Sequence, residues 1–261
     1  MKMGSSRSAD LKEIYRRLYS AFGPQRWWPA RTPFEVMVGA ILTQNTNWKN
    51  VEKAITNLRS NRLLTPQAIE AVSVKRLARF IRPAGYFNVK ARRLKDYVRF
   101  FIDEFNGQVP RMKKENPAKL RTKLLAVKGI GPETADSILL YALDFPVFVV
   151  DAYTRRFLFR HNMIDSKAGY EEIQRLFMKH LEPQKRLFNE YHALIVQLGK
   201  EFCRPQAACE CCPLRDFKYS LTFKCRSCHR ALPRLEERFP ANKNRKNQIR
   251  QELQLLCHEC A

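Results

Sequence analysis

The chain has 261 residues, 45% of them apolar, which is enough to bury a core in one large or two modest globular domains. Its 48 lysines and arginines stand against 25 acidic residues, a net charge of +23, and that balance favours nucleic acid as the partner through phosphate neutralisation and counterion release. The first eleven residues are polar, and the most apolar run, 138–150, is interrupted by Asp144 and Pro146, so neither a secretory signal nor a membrane span is expected, and the protein is expected in the cytoplasm, with the nucleoid.

Helical periodicity dominates and strand alternation is scarce. Helices are predicted over 11–22, ending at Gly23-Pro24, and over 33–43, with Thr32 as the cap ahead of Pro33. Further helices are predicted over 48–58, 66–72, 73–81, 88–105, 117–126, 133–143, 151–161, 169–180 and 185–202. Short, punctuated helices at this density predict an all-α fold. The composition changes at Cys203: all eight cysteines lie between Cys203 and Cys260. In a reducing compartment such clustering points to metal ligands rather than disulfides. The expected organisation is a helical body over 1–202, a cysteine loop over 203–218 and a small metal-stapled module over 219–261. The last 59 residues carry only +6 of the charge, so affinity for a polyanion need not come from the tail.

Residues 124–156 carry the most information. Gly129-Ile130-Gly131 separates two apolar helical segments, and Asp151 follows at the end of an apolar run. Glycines permit close backbone approach, and a helix starting near Pro132 would present N–H groups to a phosphate, with Lys128 and Lys123 adding positive charge. An isolated carboxylate suits chemistry on a group that develops positive charge. Asp151 is also placed to cap the helix that follows, and one oxygen can cap while the other serves chemistry.

The stretch VKGIGPETADSILLYAL followed by FVVDAYTRR resembles the helix-hairpin-helix DNA glycosylases of the endonuclease III superfamily, and the likeness runs from the Phe22 region to about Phe217. GAILTQNT at 39–46 is similar to the family's pattern around the glutamine that fills the gap left by a flipped base, and LGKEFC at 198–203 to the approach to its iron–sulfur loop. WWP at 27–29, LTQNT at 42–46, RPAGYFNVKARRL at 82–94 and KGIGPETAD at 128–136 look most like the 3-methyladenine glycosylase branch. The resemblance implies a two-lobed helical body that binds damaged double-stranded DNA, as a monomer, in the cleft between lobes. It implies Asp151 as the catalytic carboxylate beside a flipped nucleotide, and Gln44, Asn45, Lys128, Gly129, Ile130 and Gly131 as DNA contacts. Lys90–Lys95 forms a basic cluster that would face either phosphates or solvent.

Bifunctional members carry a lysine nucleophile two residues after the second hairpin glycine; this chain has Glu133 there. A carboxylate cannot form a Schiff base, so a monofunctional glycosylase is expected. Trp27, Trp28 and Trp48 are the tryptophans of the chain and the candidate base pocket, together with Glu133, whose bland role is to complement the helix N-terminus. Indole faces would favour a cationic alkylated purine such as 3-methyladenine. Tyr86 and Phe87 are read as core or pocket wall, and His192 as a packed, hydrogen-bonded core residue. The alternatives are a uracil or thymine mismatch enzyme, a pyrimidine-lesion enzyme like endonuclease III, with or without lyase activity, and a non-catalytic DNA-binding protein.

The family's cluster loop has the spacing C-x6-C-x2-C-x5-C. Here Cys203, Cys209 and Cys212 approximate three positions, and Lys218 stands at the fourth. A [4Fe–4S] cluster would need Cys211 or Cys225 to complete its thiolates; zinc or no metal are the other readings. In the tail, Cys225-x2-Cys228 and Cys257-x2-Cys260 have the paired spacing of a structural four-thiolate zinc site.

Overall fold

The computed structural model describes residues 3–217, with side chains from Arg7 onward, and the strands β1 (Phe223–Lys224) and β2 (Ala231–Leu232). Twelve α-helices make up the described body. They are α1 (Met3–Phe22), α2 (Pro33–Leu42), α3 (Trp48–Ser60), α4 (Pro66–Ala71), α5 (Val74–Phe80), α6 (Phe87–Phe105), α7 (Val109–Lys113), α8 (Pro117–Ala126), α9 (Pro132–Ser137), α10 (Ala152–Arg160), α11 (Tyr170–His180) and α12 (Lys185–Glu201). A 3-10 turn, Arg82–Ala84, precedes α6, and α9 runs into a π-helical turn, Ile138–Ala142. The body is all-α. β1 and β2 pair antiparallel, Phe223 with Leu232 and Lys224 with Ala231, and are the only strands among the described residues. Cys225, Cys228, Cys257 and Cys260, on which the expected zinc module depends, lie outside the described residues.

Six of the helix starts are set by side-chain caps. Thr32 accepts from the Glu35 N–H as its place before Pro33 predicts, and Asn47, Thr65, Ser73, Asn116 and Asp151 cap α3, α4, α5, α8 and α10 in the same way. α7 escaped the periodicity reading because five residues are too few to show a period.

The apolar faces gather into two cores. The first is contiguous in sequence, from Phe34 to Leu143. The second joins Leu11, Ile14 and Leu18 of α1 to residues between Phe148 and Phe217. Ser8 Oγ donates to the His180 carbonyl and Tyr191 Oη to that of Leu11, both at 2.8 Å, closing the second lobe across the length of the chain. The lobes meet at the π-helical turn. Leu139 and Ala142 belong to the first core, Leu140 to the second, and Tyr141 packs against both. A π turn re-aims successive side chains relative to an α-helix, and here it lets one segment serve two cores.

One buried charge fixes the joint, and another fixes the first lobe. Asp136, fully buried, accepts from Arg121 (2.7 and 3.1 Å), Tyr170 Oη (2.8 Å) and Gln174 Nε2 (2.7 Å), tying α8 and α9 to α11. Lys90 is buried in the first lobe and donates to the carbonyls of Leu42 (2.9 Å) and Ala84 (2.7 Å), satisfying the end of α2. Burial, and then Arg93, lower its pKa to about 8.

Candidate active site

The hairpin lies between α8 and α9. Gly129 has φ +87°, and a Cβ there would stand 2.6 Å from the Arg93 side chain, so both conformation and space demand glycine. Gly131 has φ −96°, and a Cβ would meet nothing within 4 Å. No neighbour within the protein demands glycine at 131. Ile130 sits at the tip of the turn. Its N–H closes the turn onto the Val127 carbonyl (3.0 Å) and its side chain is buried in the first core. Lys128 is exposed beside the turn, whereas Lys123 is held by Glu104 (2.9 Å) and Glu115 (3.1 Å).

Gln44 reaches the hairpin from the loop after α2. Its Nε2 donates to the Gly129 carbonyl and to Thr134 Oγ1, both at 3.0 Å, and its Oε1 accepts from Arg93 Nη1 at 2.5 Å. Asn45, next to it, is exposed with φ +52°. The basic run 90–95 is neither a phosphate row nor a solvated face throughout: Lys90 is internal, Arg93 holds Gln44, and Lys95 donates to carbonyls at the end of α4. Tyr86 is corrected too; it is neither core nor pocket wall but 67% exposed, with φ +44° at the start of α6.

Asp151 caps α10 with one oxygen. Oδ1 accepts from Thr154 N–H (2.7 Å) and Thr154 Oγ1 (2.8 Å). Oδ2 faces His192 Nε2 of α12 at 3.5 Å. Burial pushes the Asp151 carboxyl up, but His192 and the Thr154 hydrogen bonds outweigh it and hold the group below the usual carboxylate range. His192 Nδ1 lies 2.6 Å from Tyr141 Oη. His192 is thus packed and hydrogen-bonded, as expected, but also stands against Asp151, 41 residues away in sequence, which no local pattern reveals.

Glu133, in the first turn of α9, is open to solvent yet stands in a concavity with much protein around it. That surrounding protein, and next the Asp151 charge, raise its pKa to about 7, with His192 opposing. The two carboxyls thus have opposite habits, Asp151 held below and Glu133 raised above the usual carboxylate range.

The tryptophans gather at the same junction. Trp28 meets Trp48 edge to face at 4.9 Å and Tyr141 at 5.1 Å, and Trp27 stands 5.7 Å from Trp28 and 6.3 Å from Trp48. Lys200 lies over the Trp27 ring at 5.5 Å. A cavity of about 260 Å³ opens along Trp28 and Trp48, with Glu35, Glu52 and Arg59 in its wall. Trp27, Asp151 and Glu133 do not line it, and Trp28 and Tyr141 connect it to Asp151 and His192.

In the cysteine loop, Cys203 is buried, Cys209 and Cys212 are half-buried and Cys211 is exposed. Burial, with Cys209 and Cys203 adding to it, pushes the Cys212 thiol up to about 11. Arg160 donates to Cys203 Sγ at 3.3 Å and Arg156 to the Cys203 carbonyl at 2.6 Å, so α10 grips the start of the loop. Among the described residues no three cysteine, histidine or acidic side chains are arranged to hold a metal. Among the described residues the loop does not complete a four-thiolate set.

The model of the HhH-GPD superfamily of base excision DNA repair proteins matches residues 38–183. A Methanocaldococcus jannaschii protein assigned as a DNA repair glycosylase is 49% identical over 209 residues, 79% of this chain and 94% of its own. The crystal structure of the Helicobacter pylori 3-methyladenine DNA glycosylase bound to 1,N6-ethenoadenine is similar with a TM-score of 0.66 and 32% identity, over 74% of this chain and 98% of that one. A trapped endonuclease III–DNA covalent intermediate shares the fold, with a TM-score of 0.68 at 24% identity over 82% of this chain and 94% of that one. The relatives are DNA glycosylases, and the chain belongs to the HhH-GPD superfamily of base excision DNA repair proteins.

Proposed function

We propose that this protein is a monofunctional glycosylase that removes alkylated purines such as 3-methyladenine from damaged double-stranded DNA. The observation that carries the substrate reading is the tryptophan cluster. Trp27, Trp28 and Trp48 gather within 4.9–6.3 Å of one another, bringing three electron-rich indoles to one place. Trp28 and Trp48 also wall the neighbouring cavity. A purine made cationic by alkylation gains from indole faces about 0.5–2 kcal/mol per desolvated contact, and already being a good leaving group it needs little acid assistance. The H. pylori 3-methyladenine enzyme, most of whose length this chain matches, supports the same reading.

In this mechanism the flipped nucleotide's sugar gains positive charge as the bond to the base lengthens, and ionised Asp151 stabilises it. Water attacks the same carbon, the base departs neutral, and Glu133 is suited to take the water's proton because its pKa lies near the working pH. Gln44 and exposed Asn45 approach the gap left by the base, and Lys128 with the open side of Gly131 faces phosphate. With a carboxylate at 133, no Schiff base forms. We further propose that the protein acts as a monomer in the cytoplasm, on the nucleoid. No helix among the described residues is long and apolar enough to cross a membrane. A [4Fe–4S] cluster in the Cys203 loop remains the family's expectation, and it requires a fourth thiolate from Cys211 or Cys225; iron and sulfide analysis of the full chain decides it.

The test is a panel of duplexes carrying 3-methyladenine, 7-methylguanine, hypoxanthine, uracil or thymine opposite G, or thymine glycol, with abasic sites revealed by alkali. Release confined to methylated purines, and no borohydride-trapped adduct on abasic DNA, are expected. Release of uracil or thymine would overturn the tryptophan argument, and a strong adduct would overturn the argument from Glu133.

A further inference from the structure

The proposed chemistry leaves one buried titratable side chain of the site without a task. His192 is 5% exposed in the middle of α12, and its two ring nitrogens face two different elements. Nδ1 lies 2.6 Å from Tyr141 Oη on the π-helical turn, and Nε2 lies 3.5 Å from Asp151 Oδ2 at the start of α10. The Phe148 ring stands nearly perpendicular to the imidazole, 6.4 Å away. The imidazole is thus bounded by an aromatic edge, a phenol and a carboxylate.

Burial, and then the Asp151 charge, hold the Tyr141 phenol protonated far above neutral pH. Its hydroxyl is therefore free to donate to Nδ1, and in that arrangement the ring proton lies on Nε2, facing Asp151. Oδ1 of Asp151 is occupied by Thr154, so the state of Oδ2 depends on His192. At 3.5 Å this contact is at the outer limit of a hydrogen bond, and such contacts in a catalytic site tighten when the substrate closes it.

We propose that His192, set by Tyr141, is a positioning residue that fixes the orientation of Asp151 Oδ2 and keeps that carboxylate ready for the sugar. The inference rests on the reading of Asp151 as the glycosylase carboxylate. The ionisable groups that face this centre are Tyr141 from the π-helical turn, Glu133 from α9 and Asp151 itself. His192 favours ionisation of Asp151, and the Asp151 charge in turn raises Glu133, so Asp151 ionises first and His192 helps set how acidic the medium can become before it takes a proton.

The test reads Asp151 directly. The full chain, labelled with 13C at aspartate carboxyls, is titrated from pH 2 to 8, and the Asp151 signal is assigned by its loss in Asp151→Asn. In the wild type it titrates below the ordinary carboxylate range. In His192→Leu the midpoint rises by about one to two pH units. Tyr141→Phe, which removes a single oxygen and leaves the packing, shifts it the same way by less. His192→Gln, whose amide reaches the place of Nε2, restores it. The acid limb of single-turnover excision, on whichever lesion of the panel is released, moves in step with each midpoint. A histidine that merely packs would lower the rate at every pH and leave the midpoint alone, and an unmoved midpoint in folded His192→Leu and Tyr141→Phe overturns the proposal. Failure of the functional reading is distinct: the midpoints shift as described while neither the wild type nor any variant releases a base.

Discussion

Asp136 and Asp151 lie on one stretch of chain, and both are enclosed, yet the molecule treats them in opposite ways. Asp136 receives four donors from Arg121, Tyr170 and Gln174, and both its oxygens are filled. Asp151 has one oxygen filled by Thr154 and the other met only at 3.5 Å by His192. A saturated carboxylate has nothing left to offer an incoming charge and serves the fold. A carboxylate held ionised with one face undersupplied is held for a positive charge that arises only during reaction. The number of donors on each oxygen, rather than burial, separates Asp136 from the carboxylate proposed for chemistry.

The largest expected effect lies at Asp151. Asparagine caps a helix as well as aspartate does, so Asp151→Asn should melt near the wild-type temperature while single-turnover excision falls by about 10²–10³-fold. If melting fell with activity, Asp151 would join Asp136 as a structural residue. Asp136→Asn is expected to do the reverse. It leaves Arg121 without its buried partner, and such losses cost about 3–5 kcal/mol, measurable by urea denaturation, while the folded fraction excises at close to the wild-type rate. The smallest effect belongs to Glu133. Its pKa of about 7 in the folded protein exceeds its unfolded value of about 4.3. The folded state therefore binds the extra proton, and the stability this gives is lost as pH rises from the unfolded value through about 7. Glu133→Gln should gain about 1–3 °C in Tm over the wild type at pH 8 and nothing at pH 4. A gain that did not vary with pH would remove Glu133 from the field of Asp151.

What could be read in the sequence was local. Thr32 before Pro33, the glycine pair and Asp151 ahead of an amphipathic run each act within a few residues, and their helices follow. Asp151 could be singled out because capping and chemistry use different oxygens of one side chain. What could not be read was every contact that spans lobes. Tyr141 looks like one more apolar position until the π-helical turn places it between two cores, and His192 reads as interior because it is interior. Lys90 and Lys123 looked like surface charge; two carbonyls from distant turns enclose one, and two glutamates claim the other. The tryptophans were legible as a set but not as neighbours, since Trp27 and Trp28 precede α2 while Trp48 opens α3.

The way α1 is used bears on how the protein comes into being. Its apolar face is covered by α11 and α12, through contacts between residues 172 and 180 positions apart. The first lobe, continuous from Phe34 to Leu143, can close as soon as it leaves the ribosome, because domains form in the order of synthesis. The second must wait, with Leu11, Ile14 and Leu18 uncovered, until α12 has been made. The hairpin is therefore in place before His192 exists beside Asp151, and on the proposed function a nascent chain would hold the means to grip DNA before it held the means to cut a base from it.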